Sequence, residues 1–88
     1  MLEVIEARYI EGYSIWLKFS NGVSGEVNLE NDLWGAVFEP LKDINEFKKF
    51  TLSKEPGTIV WENEADFAPE FLLDKIRQIE TAKVMENS

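Results

Sequence analysis

Four carboxylates follow Trp61 in close succession: Glu62, Glu64, Asp66 and Glu70. Oxygen ligands of this kind suit a hard cation such as calcium or magnesium. A pair of them could also act as acid and base in glycoside cleavage, if held roughly 5–10 Å apart across a deep cleft. The spacing matches no EF-hand loop, whose ligands alternate around a glycine turn, and a domain this small rarely encloses a deep cleft. A solvated acidic loop running into a helix N-terminus, where negative charge is favoured, accounts for the same residues.

The rest of the chain supplies little reactive chemistry. It has no histidine and no cysteine, which removes the usual general base and transition-metal ligand together with any disulfide, thiolate zinc site or cysteine nucleophile. Ser14, Ser20, Ser24 and Ser53 fall on strands or turns with no base to activate them. Gly22 and Gly25 lie in a hairpin pattern rather than ahead of a helix, so no phosphate-cradling loop is formed. The sequence therefore predicts no catalytic residue, no metal and no cofactor. The alternative is a small carboxylate-dependent hydrolase or metal-dependent enzyme that uses the Glu62–Glu70 cluster.

Binding is the better-supported class. Trp16, Trp34 and Trp61 could anchor an interface, where such rings dominate the energy, although filling a small core is the plainer use of three large rings. Trp16 is the exception. It alternates with Ser14, Lys18 and Ser20 on the polar side of its strand, which calls for exposure or for cover by a helix or a second chain. Asp66 has two readings, a structural acceptor organising the turn before a helix or a recognition residue, and the structural one is favoured. The candidate partner-binding residues are Trp16, Trp61, Glu62, Asp66 and Glu70.

Charge narrows the partner. Seventeen acidic against nine basic residues in 88 give a net charge of -8. Affinity for a nucleic-acid backbone comes largely from Lys and Arg neutralising phosphates, so direct nucleic-acid binding is not expected. An acidic surface favours a basic protein through complementary steering, or simply keeps the chain in solution. No apolar run approaches the roughly 18–20 residues that span a bilayer, and Met1–Glu6 has neither the basic start nor the apolar centre of a signal peptide. A cytoplasmic protein with no membrane partner is expected.

These residues must be positioned by one domain spanning 1–88, with 1–84 as its ordered core and 85–88 frayed. Tyr13, Ile15, Leu17 and Phe19 alternate with polar neighbours, as do Val23, Gly25, Val27 and Leu29, the period-two signal of half-buried strands. A two-residue Asn21-Gly22 turn would send their apolar sets to opposite faces. A three-residue loop, Ser20-Asn21-Gly22 with Gly22 left-handed, pairs Phe19 with Val23, Leu17 with Gly25 and Ile15 with Val27 on one face. A first strand, Leu2 to Tyr9, is expected to pair Tyr9 with Tyr13, Ala7 with Ile15 and Ile5 with Leu17, and to be bulged or covered on both sides because Val4 and Leu2 then fall out of phase.

Glu30 to Gly35 reads as a turn carrying Leu33 and Trp34 inward. Asp43-Ile44-Asn45-Glu46 has the form of a capping box, opening a helix Ile44–Lys49 with Ile44 and Phe47 toward the core. Phe50–Ser53 and Thr58–Trp61 form a hairpin around Lys54-Glu55-Pro56-Gly57. A last helix starts at Pro69, with Leu72, Ile76 and Ile79 on one stripe and Phe71 beside it. The fold class is α+β: an N-terminal antiparallel β-meander, a short central helix, a β-hairpin, and a C-terminal amphipathic helix packed on the sheet. Exposed sheet edges and Trp16 suggest a homodimer.

Several signatures fall in a recognisable order: Tyr13-x-Ile15-x-Leu17-x-Phe19-x-Asn21-Gly22, Val27-Asn28-Leu29, Val37-Phe38-Glu39-Pro40-Leu41-Lys42-Asp43, Phe47, and Gly57-Thr58-Ile59-Val60-Trp61-x-Asn63-x-Ala65-Asp66-Phe67-Ala68-Pro69-Glu70. From about Val4 to Leu73 the chain resembles the domain of unknown function 2442 family, small proteins found mainly in bacteria. That family's pattern usually has acidic residues where this chain has Asn21 and Asn28, and glycine where it has Glu64. The last difference argues against a tight turn after Trp61, because glutamate adopts positive φ less readily than glycine. The resemblance implies a small α+β module, often encoded beside another small protein and in some members joined to a DNA-binding helical domain. The expected function is a non-catalytic protein-binding or regulatory module, antitoxin-like toward a small neighbouring protein.

Overall fold

The apolar alternation of the N-terminal third is realised as three antiparallel strands in sequence order, β1 (Val4–Glu11), β2 (Ser14–Phe19) and β3 (Ser24–Asn28). They belong to a computed structural model that describes residues 1–86, with the side chains of the last helix described as far as Arg77. The β2–β3 register is Ile15↔Val27 and Leu17↔Gly25, and the Phe19 amide donates to Val23 O at 2.8 Å. Gly22 takes φ 89, as the three-residue bulged loop requires. Ile15, Leu17, Phe19 and Val27 are consequently all buried on one face.

β1 is paired two residues away from the expected register: Ala7 faces Leu17 and Tyr9 faces Ile15. The turn explains the difference. Tyr13 is not a strand residue. Its hydroxyl donates to the Lys42 carbonyl and its ring packs edge-on against Phe47 at 5.2 Å. That leaves Gly12-Tyr13 as the turn between the paired residues Glu11 and Ser14. The expected bulging is present twice, between Val4 and Glu6 and between Tyr9 and Glu11. Each bulge adds one residue to β1. Val4 is thereby returned to the buried face, while Ile5 and Ile10 are left exposed.

After β3 the chain makes a 3-10 turn, Glu30–Asp32. Leu29 and Leu33 are both buried, one helical turn apart. Trp34 is not carried inward as expected. It is 75% exposed, because Leu33 fills the core position and Gly35, at φ 93, turns the chain away. A second 3-10 turn, Glu39–Lys42, buries Leu41, and α1 follows as a single turn, Ile44–Phe47. Asp43 caps it by accepting from the Asn45 amide at 2.9 Å. The reciprocal half of the capping box is absent, since Glu46 instead accepts from Lys49 Nζ. Of the two residues expected to face the core, Phe47 does and Ile44 does not. One turn offers one inward position, and Leu41 from the preceding segment occupies the adjoining space.

β4 (Thr51–Ser53) and β5 (Thr58–Val60) form the expected hairpin. Its turn is tied to β1 by a Val4 amide to Gly57 carbonyl bond of 2.9 Å. α2 runs Pro69–Glu86 and buries Leu72, Leu73 and Ile76. Ile79, expected on the same stripe, lies outside the described side chains, and the expected fraying over 85–88 falls at and beyond the edge of the described residues. Among the described residues no helix is long and apolar enough to cross a membrane.

The helix meets β3 where the strand has no side chain. A Cβ built on Gly25 would stand 3.1 Å from Ile76 Cγ2. Ile76 must give by a few tenths of an ångström to admit that one atom, and overpacking by the two further methyl groups of valine costs roughly 1–3 kcal/mol. Gly25→Val should accordingly lower the urea midpoint of unfolding, whereas an unchanged midpoint would show that α2 does not bear on β3 there.

Candidate functional site

The segment from Trp61 to Phe67 is shaped by three side chains. Trp61 is buried at the end of β5, and its indole Nε1 donates to the Phe47 carbonyl at 2.7 Å. Phe47 ends a one-turn helix, where carbonyls lack intrahelical partners, so the indole satisfies a group that would otherwise be orphaned in the core. The loop then closes on itself: the Trp61 amide donates to Ala65 O and the Glu64 amide to Trp61 O, both at 2.9 Å. Asn63 fixes both sides of that loop. Its Nδ2 donates to the Val37 carbonyl at 2.8 Å, and its Oδ1 accepts from the Ala65 amide at 3.2 Å. Thr58, buried on β5, donates to Phe67 O at 2.6 Å and anchors the exit.

Glu64 sits in this loop at φ 70. The tight turn argued against on sequence grounds is therefore made, with glutamate in a conformation that favours glycine. The surrounding hydrogen bonds over-determine the turn, so the local cost is absorbed rather than relieved by a different loop.

The acidic cluster does not converge. Glu62, Glu64, Asp66 and Glu70 are all exposed, and among the described residues no three acidic side chains stand close enough to hold a metal ion. The side chain that organises the turn before the helix is that of Asn63, while Asp66 contributes a backbone bridge to Val60. Trp61, a candidate contact residue from the sequence, is 4% exposed and belongs to the core. Trp16 is half-buried. Arg8, directly opposite it on β1, places its guanidinium 5.5 Å from the ring centroid. The face expected to take a second copy of the chain is thus partly capped from within.

Sequence reasoning missed the surface that is assembled. Phe38 stacks on Phe67 at 4.8 Å, and Phe67 stacks on Phe71 at 5.4 Å. With Trp34 and Asp32 these three rings line an open cleft of about 240 Å³. Phe71 is 39% exposed and Trp34 far more so. Asp32 Oδ2 is paired with Lys75 Nζ on α2 at 2.7 Å, and the same ammonium lies 5.8 Å from the Phe71 centroid. Trp34 was visible as one of three tryptophans, but nothing in its local pattern announced that Gly35 would turn it outward. A second open hollow of about 260 Å³ brings two of the candidate contact residues, Trp61 and Glu62, together with Pro40, Leu41, Glu46, Lys49 and Asn63.

Two variants test how this region is held. Trp61→Phe keeps a large ring but leaves the Phe47 carbonyl without its donor, and an unsatisfied buried acceptor costs about 1–3 kcal/mol; equilibrium urea unfolding should show that loss. Glu64→Gly relieves a left-handed residue that costs roughly 1–2 kcal/mol and adds about 0.4–1 kcal/mol of unfolded-state entropy. The net gain should raise the melting temperature by several degrees in a chain of this size.

No curated protein and no solved structure matches this chain. A family model described as "Protein of unknown function (DUF2442)" matches residues 4–78, a span that takes in the meander, the hairpin, the Trp61 loop and the described face of α2. The resemblance read from the Phe38–Leu41 and Trp61–Glu70 signatures is thereby borne out, and the chain belongs to the DUF2442 family.

Proposed function

We propose that this protein is a non-catalytic binding module that recognises a small protein partner through the aromatic cleft beside Trp34. The observation that carries the reading is Trp34 itself, 75% exposed at the rim of a three-ring stack. Tryptophan contributes more than most residues to interface energy when it is covered, and an aromatic patch left open on a small acidic domain marks a contact surface. The partner is basic, because a net charge of -8 speeds and orients encounter with a positively charged surface. An antitoxin-like pairing with the protein encoded next to this one is the form of that interaction implied by the family resemblance.

Co-expression with the neighbouring gene product tests the proposal. The wild-type chain should retain that protein through purification at low salt, and Trp34→Ala should lose it while keeping its own melting temperature, since an exposed ring contributes little to the fold. Absence of a complex at low salt would remove the reading.

A further inference from the structure

We infer that the cleft takes a single apolar side chain, of leucine to phenylalanine size, from a partner segment that carries lysine or arginine beside it. This rests on the protein-binding reading above and specifies the chemistry recognised at that same surface. Volume is the first argument. At about 240 Å³ the cleft falls below the roughly 300–1,000 Å³ of sites for free small molecules, but it accommodates one anchor side chain.

The lining is the second argument. Trp34, Phe38, Phe67 and Phe71 present ring surface. The carboxylate on the wall, Asp32, is already neutralised by Lys75. A polar anchor would forfeit its hydration there without a free partner to replace it, whereas an apolar one gains contact with the rings.

Charge around the rim is the third. Asp74 stands one turn along α2 from Phe71, and Glu70 stands one turn before Asp74 on the same side of the helix; both are exposed. The cation nearest the rings, Lys75, is held by its own salt bridge over Phe71. Two carboxylates therefore stand beside Phe71 on one side, and a basic flank there completes the match. Such rim charges act mainly on association rate and salt sensitivity, and the buried anchor supplies the affinity.

The test uses capped synthetic peptides and the full chain, followed by isothermal calorimetry. A peptide with one phenylalanine between flanking lysines should bind, more tightly at low salt. Replacing its phenylalanine with serine should weaken it by about tenfold or more, the range of a lost anchor, and replacing its lysines with glutamates should abolish the gain at low salt. Phe71→Ala and Trp34→Ala should weaken the lysine peptide similarly, and Asp74→Lys should flatten the salt dependence; thermal melts confirm that each variant is folded. Equal binding of the phenylalanine and serine peptides, indifference to Phe71→Ala, or no binding at millimolar peptide would overturn the inference. If the neighbouring protein still co-purifies in a Trp34-dependent way while the peptides fail, the anchor chemistry is wrong and the binding-module reading stands.

Discussion

The indole of Trp61 joins three segments that are distant in sequence. Its N–H serves the last carbonyl of α1 at Phe47. Its ring contacts Phe47 at 5.7 Å, Phe50 at 6.3 Å and Phe67 at 5.9 Å, and its backbone closes the loop that delivers α2. A small domain buries only a modest share of its surface, so rings that touch several elements at once carry much of the cohesion. From Trp61 the aromatic contacts run through buried Phe47 to the half-buried Tyr9 and Tyr13. They run outward through Phe67 to Phe38 and Phe71. The exposed cleft is the surface end of the same chain of rings that forms the core.

This continuity explains why a rigid contact surface can exist on loops. Phe38 lies in an irregular stretch and Trp34 beside a glycine turn, where backbone is ordinarily variable. Phe38 is held from beneath by Phe67, whose carbonyl is bonded to buried Thr58, and the Val37 carbonyl is clasped by Asn63. Asp32 is fixed from the helix side by Lys75. The Phe38 and Asp32 walls of the cleft are thus tied to regular elements, which lowers the ordering cost that a flexible surface incurs on binding.

Much of the fold could be read from the residues because the hydrophobic period left a single consistent solution. In the β2–β3 hairpin, Ile15, Leu17, Phe19 and Val27 share a face in one register only, and that register dictates the loop type. The first hairpin offered no such discrimination. Tyr13 is equally plausible as the start of a strand or as a turn residue, and its fate was decided by a hydroxyl partner at Lys42, twenty-nine positions away. The site was legible only in part. The acidic run after Trp61 drew attention by composition, yet its carboxylates diverge into solvent, while the assembled feature is made of Trp34, Phe38 and Phe71. Those rings come together through tertiary packing of three segments, and no local spacing encodes that.

The doubled bulge in β1 has a consequence for how this chain behaves in a crowd. A strand can template addition of further chains only where its amide and carbonyl groups repeat without interruption. Ile5 and Ile10 each break that repeat and bend the strand, even as they leave aliphatic side chains in water. β1, an edge strand of its sheet, is thereby a poor template for further pairing, a form of protection built from geometry.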